Sequence, residues 1–220
     1  MTRLKSLNKL TAPKSVAPER IIQFGEGNFL RAFVDWIVWN MNAKTNFNGS
    51  VVVVQPIDRG MVQWLNGQDC LYHVNLQGRQ NGEPVNQLDR IDVISRGIDP
   101  YAQHWAYQAL AEQPEIRFVI SNTTEAGIAF DPSCKLSDAP ASSYPGKLTQ
   151  LLWNRFNAFD GDPTKGVIIM PCELIFLNGH HLKDCIRKYI ELWTPDFGEK
   201  AQAFSEWFEK YNYVCATLVD

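Results

Sequence analysis

Apolar residues along this 220-residue chain fall into short solid runs separated by stretches with helical spacing. Arg20-Ile-Ile-Gln-Phe24 is a brief β-branched run that stops at Gly25, the pattern of a buried strand. From Phe29 to Met41 the apolar positions are 29, 30, 33, 34, 37, 38 and 41, which predicts one helix with a wide buried face. Val51-Val-Val-Val54 suits a strand covered on both faces, as in a parallel sheet. Segments 70–77 and 85–95 read as extended, and Asn81-Gly82 between them predicts a hairpin turn. Asp99-Pro100 predicts the cap and first residue of a helix running to about Glu112. Arg117-Phe-Val-Ile-Ser121 and Val167-Ile-Ile-Met170 read as two more buried strands, with a loop over 126–142 and a helix over 144–159 between them. Helices over 180–193 and 198–210 and a strand over 213–219 complete the pattern.

This alternation predicts an α/β fold: a doubly wound, mostly parallel, Rossmann-like sheet with an antiparallel hairpin insertion. Residues 1–19, interrupted by Pro13 and Pro18, read as an amino-terminal arm, and 20–220 as a single dinucleotide-binding domain. A chain that stops on a strand at Asp220 is expected to be followed by a further domain, against which Trp193 and Trp207 are candidates to pack.

Composition narrows the partners. At 45% hydrophobic the chain has enough apolar surface to fold. Lys+Arg 21 against Asp+Glu 24 leaves a net charge of -3, so a net basic footprint for nucleic acid is absent. Without an apolar run of ~20 residues, a membrane partner is not expected. Cysteines at 70, 134, 172, 185 and 215 form no C-x-x-C pair, which fits reduced thiols in a cytoplasmic protein. His180 and His181 are adjacent and point apart on a helix, and no metal site is expected.

In such sheets, ligands bind beyond the carboxyl ends of the strands. Those ends carry Gly25–Phe29, Gln55–Asp58, Asn122–Glu125 and Cys172–Glu173. Gly25-Glu-Gly27 between strand and helix suits a pyrophosphate, because bare backbone allows close approach and a helix start offers free N–H groups. An ordinary tight turn would use the same residues, and the third glycine of a full G-x-G-x-x-G is replaced by Leu30. Arg31 suits either a phosphate or a surface ion pair. Asp58 is the carboxylate available to an adenosine ribose, with Arg59 beside it; the pair also suits a solvated loop. Asn122-Thr-Thr-Glu125 could line the nicotinamide side of the cleft or simply cap and turn the chain. A nucleotide-sensing or interaction domain without chemistry, and a methyltransferase binding S-adenosylmethionine, remain compatible with the same turn.

Taken as a set, Ile21-Ile-Gln-Phe-Gly-Glu-Gly-Asn-Phe-Leu-Arg31-Ala-Phe, Val51-Val-Val-Val-Gln-Pro, Ser121-Asn-Thr-Thr-Glu-Ala-Gly127, Pro171-Cys-Glu and Asn178-Gly179 resemble the mannitol dehydrogenase family of metal-independent polyol dehydrogenases. The resemblance spans about 20–220 and the amino-terminal half of such proteins. It implies NAD-dependent interconversion of a hydroxyl and a ketone on an open-chain sugar acid. It further implies that Ile21, Ile22, Gln23, Phe24, Gly25, Glu26, Gly27, Asn28, Phe29, Leu30, Arg31 and Ala32 carry the cofactor, flanked by Asp58, Thr123, Thr124 and Glu125. The family's K-x-x-x-x-N-x-x-H acid/base pattern lies in a carboxy-terminal domain that this chain does not contain, and Asp220 stands where members have a supporting active-site Asp. Glu173, Asn178 and His181 share that spacing, but Glu replaces the Lys, so they are read as coincidental. Where members have C-D-N, this chain has Cys172-Glu173-Leu174, and Leu174 cannot donate a hydrogen bond.

Overall fold

A computed structural model describes residues 7–124 and 126–218. In chain order the elements are β1 (Glu19–Phe24), α1 (Asn28–Ala32), α2 (Val34–Lys44), β2 (Ser50–Val54), α3 (Val62–Gly67), β3 (Tyr72–Gln80), β4 (Glu83–Ile91) and β5 (Ile94–Ile98). They continue with α4 (His104–Gln108), β6 (Phe118–Ser121), α5 (Tyr144–Ala158), β7 (Ile168–Pro171), α6 (Asn178–Leu192), α7 (Thr194–Phe197), α8 (Ala201–Tyr211) and β8 (Tyr213–Val214).

The main sheet has the order β5-β2-β1-β6-β7-β8, and every neighbouring pair is parallel. Strands are laid down in opposite directions on the two sides of β1, so the winding reverses between β1 and β6. That point is where a doubly wound sheet opens a crevice for a ligand. The anticipated fold class is therefore the observed one. The strands' period of two sorts their side chains into two cores. Ile22, Phe24, Val52, Val54, Val119 and Ile169 pack with α5, α6 and α8 on one face. Ile21, Val51, Val53, Ile94 and Ile120 pack with Val34, Val38, Val62 and Leu65 on the other. Double coverage explains why β2 carries four consecutive valines, Val51–Val54, all fully buried.

The hairpin insertion is β3 paired antiparallel with β4. Its turn is Asn81-Gly82, both at positive φ (53° and 87°), as a type I′ turn requires. Six details differ from expectation. The extended stretch 85–95 is two strands in two sheets, because Asp92 leaves the ladder to bind the Ser15 amide and hydroxyl (3.2 and 2.6 Å). The helix expected over 29–41 is broken at Phe33 (φ −109°, ψ −69°). Beside the break the Arg31 carbonyl accepts from the Tyr72 hydroxyl at 2.9 Å, and such an intrusion into the helical ladder bends helices. Asp99 accepts from the Tyr101 amide and makes a turn, so α4 begins only at His104. The short α3 has no counterpart in the sequence reading, and β8 spans only two residues. Finally, Trp193 and Trp207 are buried in this domain's own core (1% and 3% exposed), where they stack among Tyr189, Phe197 and Phe204.

Residues 7–18 are tied down by Lys14, whose ammonium donates to the Asp69 and Ser95 carbonyls at 2.7 and 2.8 Å. Among the described residues no helix is long and apolar enough to cross a membrane.

Candidate functional site: a glycine turn at the switch point

Gly25 ends β1 at φ +122°, a conformation L side chains rarely adopt, and its amide donates to the Val54 carbonyl at 3.1 Å. A Cβ here would lie 2.8 Å from the Asn122 carbonyl oxygen of the neighbouring strand end, so glycine is what lets β1 and β6 close on each other. Gly27 is different. Its φ of −67° suits any residue, and a Cβ would meet nothing within 4 Å. It caps α1 without a side-chain hydrogen bond, and no acidic residue occupies the first turn. The first N–H groups are thus left for a ligand, with open space in front of them.

Arg31 braces this turn. Its Nε donates to the Glu26 carbonyl at 2.9 Å and a terminal nitrogen donates to Asn28 Oδ1 at 2.6 Å, while the guanidinium sits 5.4 Å from the Tyr72 ring centroid. Both oxygens that it bonds are neutral, so neither contact is an ion pair.

Glu26 links the turn to the loop after β2. Its Oε1 accepts from the Met61 amide at 3.0 Å, and Gly60 is required beside it because a Cβ there would run into that carboxylate and Gln55. Asp58 and Arg59 are exposed on the same loop. Burial, then the charges of Asp58 and Asp99, raise the Tyr101 hydroxyl above its usual range. Two carboxylates, Glu26 and Asp58, therefore lie at the loop after β2, one anchored to its backbone and one exposed.

At the end of β6, Asn122 donates to the Cys172 carbonyl at 2.7 Å. Thr123 is buried against Glu173: its amide and hydroxyl both donate to Oε1 at 2.9 Å, and Ser121 donates to Oε2 at 3.1 Å. Glu173 is 2% exposed and acts as a strut between the ends of β6 and β7. The nearby Tyr144 hydroxyl is pushed far up, by burial first and by Glu173 next. Thr124 is exposed at φ +76°. Glu125 and Asp220 lie outside the described residues.

Asn178 is structural. Its amide donates to the Pro171 and Glu173 carbonyls and to Thr217, and its carbonyl accepts from Gly179 and Thr217. His180, His181 and Leu174 are exposed, whereas Glu173 is buried. Among the described residues no group of three His, Cys, Asp or Glu converges as a metal site.

Two groups escape a reading of the sequence. Asp35, fully buried in the first turn of α2, is raised to about 7 by burial. Lys147, fully buried in α5, is lowered to about 8 by burial and donates to the Ser142 carbonyl at 2.8 Å. The one signal in the sequence is a charge set among buried helix positions.

Residues 19–220 match the family model described as the mannitol dehydrogenase Rossmann domain. The chain belongs to the mannitol dehydrogenase family. It is 68% identical over 217 residues to a Phocaeicola vulgatus protein named altronate oxidoreductase, and 70% identical to one of the same name from Bacteroides thetaiotaomicron. A Bacillus subtilis protein with that name is 48% identical over 203 residues. Each of the first two matches covers 99% of this chain and 44% of the relative, so the chain spans under half the length of these curated relatives. The mannitol 2-dehydrogenase of Pseudomonas fluorescens, solved with NAD and D-mannitol, superimposes with a TM-score of 0.76 over 97% of this chain and 46% of its own, at 20% identity. A D-sorbitol dehydrogenase structure superimposes at 0.72. At such identity these two establish the mannitol dehydrogenase Rossmann fold.

Proposed function

We propose that the chain is the cofactor-binding part of an NAD-dependent oxidoreductase that interconverts D-altronate and D-tagaturonate. The observation that carries this reading is the open, uncapped Gly27 at the switch point, in a chain whose relatives at 68% and 70% identity are named altronate oxidoreductase. When bound, NAD would supply the carbon-to-nicotinamide hydride acceptor. The backbone of Gly25–Phe29 holds the diphosphate, and Arg31 adds positive charge beside it. Glu26 and Asp58 accept from the adenosine ribose hydroxyls, and their charge repels the 2′-phosphate of NADP. Thr123, fixed by Glu173, sets the floor of the crevice on the nicotinamide side. Removing hydride from a hydroxyl carbon also requires a base for the hydroxyl proton. In this reading the base is the family's Lys, in the part of the relatives' length that this chain does not span, and Asp220 supports that centre.

Calorimetry with NADH and NADPH, together with an assay of D-altronate oxidation, tests the proposal. The 220-residue chain is expected to bind NADH more tightly than NADPH and to show no turnover. Failure to bind NADH would overturn the cofactor assignment and favour an interaction domain. Turnover by this chain alone would overturn the placement of the base.

A further inference from the structure

Asp35 has no part in the reading above, yet it adjoins Tyr72 and Gln23, two residues that support the turn. Its Oδ2 lies 3.0 Å from the Tyr72 hydroxyl, which also lies 2.9 Å from the Arg31 carbonyl. The ring of that tyrosine carries the Arg31 guanidinium. Gln23, also fully buried, lies close enough to Asp35 to act on its carboxyl and donates its Nε2 to the Gly25 carbonyl at 3.1 Å. Two buried oxygens of this cluster, Asp35 Oδ1 and Gln23 Oε1, have no hydrogen-bond partner. Buried acceptors without a donor are costly, and two in one cluster call for a proton that the cluster's ordinary charge state lacks. One proton on the Asp35 carboxyl supplies it.

We propose that Asp35 is a positioning residue of the cofactor turn: as a neutral acid it joins Gln23 to Tyr72 and so fixes the Gly25 carbonyl and the Arg31 guanidinium at the diphosphate. The proposal rests on the NAD reading of the turn. The groups acting on Asp35 are Gln23 of β1, Arg31 of α1 and Tyr72 of β3, with Cys70 just before β3. Burial raises Tyr72 far above its usual range and Cys70 to about 11, so both are neutral near pH 7 and Arg31 is the charge that faces Asp35. Burial also places the Asp35 ionisation at about 7. Above that pH a second anion forms beneath Arg31 and competes with the diphosphate for it.

NADH affinity and the urea midpoint, each measured at about pH 6 and about pH 8.5, test this in the wild type, Asp35→Asn and Asp35→Leu. An amide at 35 keeps an acceptor for Tyr72, offers a donor to Gln23 and does not ionise. The wild type is expected to lose affinity roughly tenfold at the higher pH, and about one pH unit beyond the pKa suffices for that. Asp35→Asn is expected to hold the pH 6 affinity at both values, with a urea midpoint that no longer falls with pH. Asp35→Leu loses affinity at both. A wild-type pH profile that Asp35→Asn leaves unchanged overturns the role of Asp35 alone. No wild-type binding at either pH overturns the cofactor reading as well, since nothing then remains to be positioned.

Discussion

The two glycines of the turn separate folding from binding, and alanine at each gives opposite results. At Gly27 the backbone (φ −67°, ψ 166°) is ordinary and a methyl group meets nothing within 4 Å. Loss of a glycine cap and gain of unfolded-state rigidity are each worth about 0.5–1 kcal/mol and oppose each other. Gly27→Ala therefore leaves stability within about 1 kcal/mol of wild type. The new methyl group occupies the space a diphosphate needs for direct approach to the backbone. An expected loss of about 10- to 100-fold in NADH affinity corresponds to about 1.4–2.7 kcal/mol. At Gly25 the positive φ costs about 1–3 kcal/mol for a side chain, and the contact at 2.8 Å with the Asn122 carbonyl adds to it. Gly25→Ala is thus expected to lose on the order of 3 kcal/mol and to bind weakly because its crevice is displaced. Urea denaturation gives the stabilities and NADH calorimetry the affinities. If folded Gly27→Ala binds NADH as wild type does, the turn is an ordinary one and the diphosphate sits elsewhere.

Glu26→Gln keeps an acceptor for the Met61 amide but removes a negative charge from the ribose end, so the NADPH-to-NADH affinity ratio should rise by about tenfold, or ~1.4 kcal/mol; an unchanged ratio in parallel titrations would leave Asp58 as the discriminating carboxylate. The Arg155 guanidinium is buried and donates to the carbonyls of Lys165, Gln113, Ile116 and Ala111 at 2.7–3.2 Å, so Arg155→Met should cost on the order of 3 kcal/mol in urea denaturation. Lys147 falls to about 8 in the folded chain against 10.5 outside it. A depressed folded value means stability present above the unfolded pKa and lost as pH falls through the folded one. Wild-type stability should accordingly rise between about pH 8 and pH 10.5 by an amount on the order of 3 kcal/mol, and Lys147→Met should flatten that rise.

Local pattern carried much of the architecture. The Val51–Val54 run, the break at Gly25 and the Asn81-Gly82 turn each record a constraint acting within a few residues: burial on both faces, a positive φ, a two-residue reversal. Strand and helix periods are local too, so the α/β class and the strand ends bearing the candidate site were readable from the chain. The break at Phe33 was not, because its cause is a hydroxyl 41 residues from Arg31 in sequence. Nor was the exit of Asp92 from its strand, which depends on Ser15, or the burial of Thr123 on Glu173, 50 residues away. Composition alone could not show that Arg31 bonds to neutral oxygens of its own turn, nor that Asp35 is fully buried. Those outcomes hinge on which groups meet across the fold and how much water they exclude. Periodicity along a chain holds no information about either, since the energy of a polar group is set by its neighbours in space.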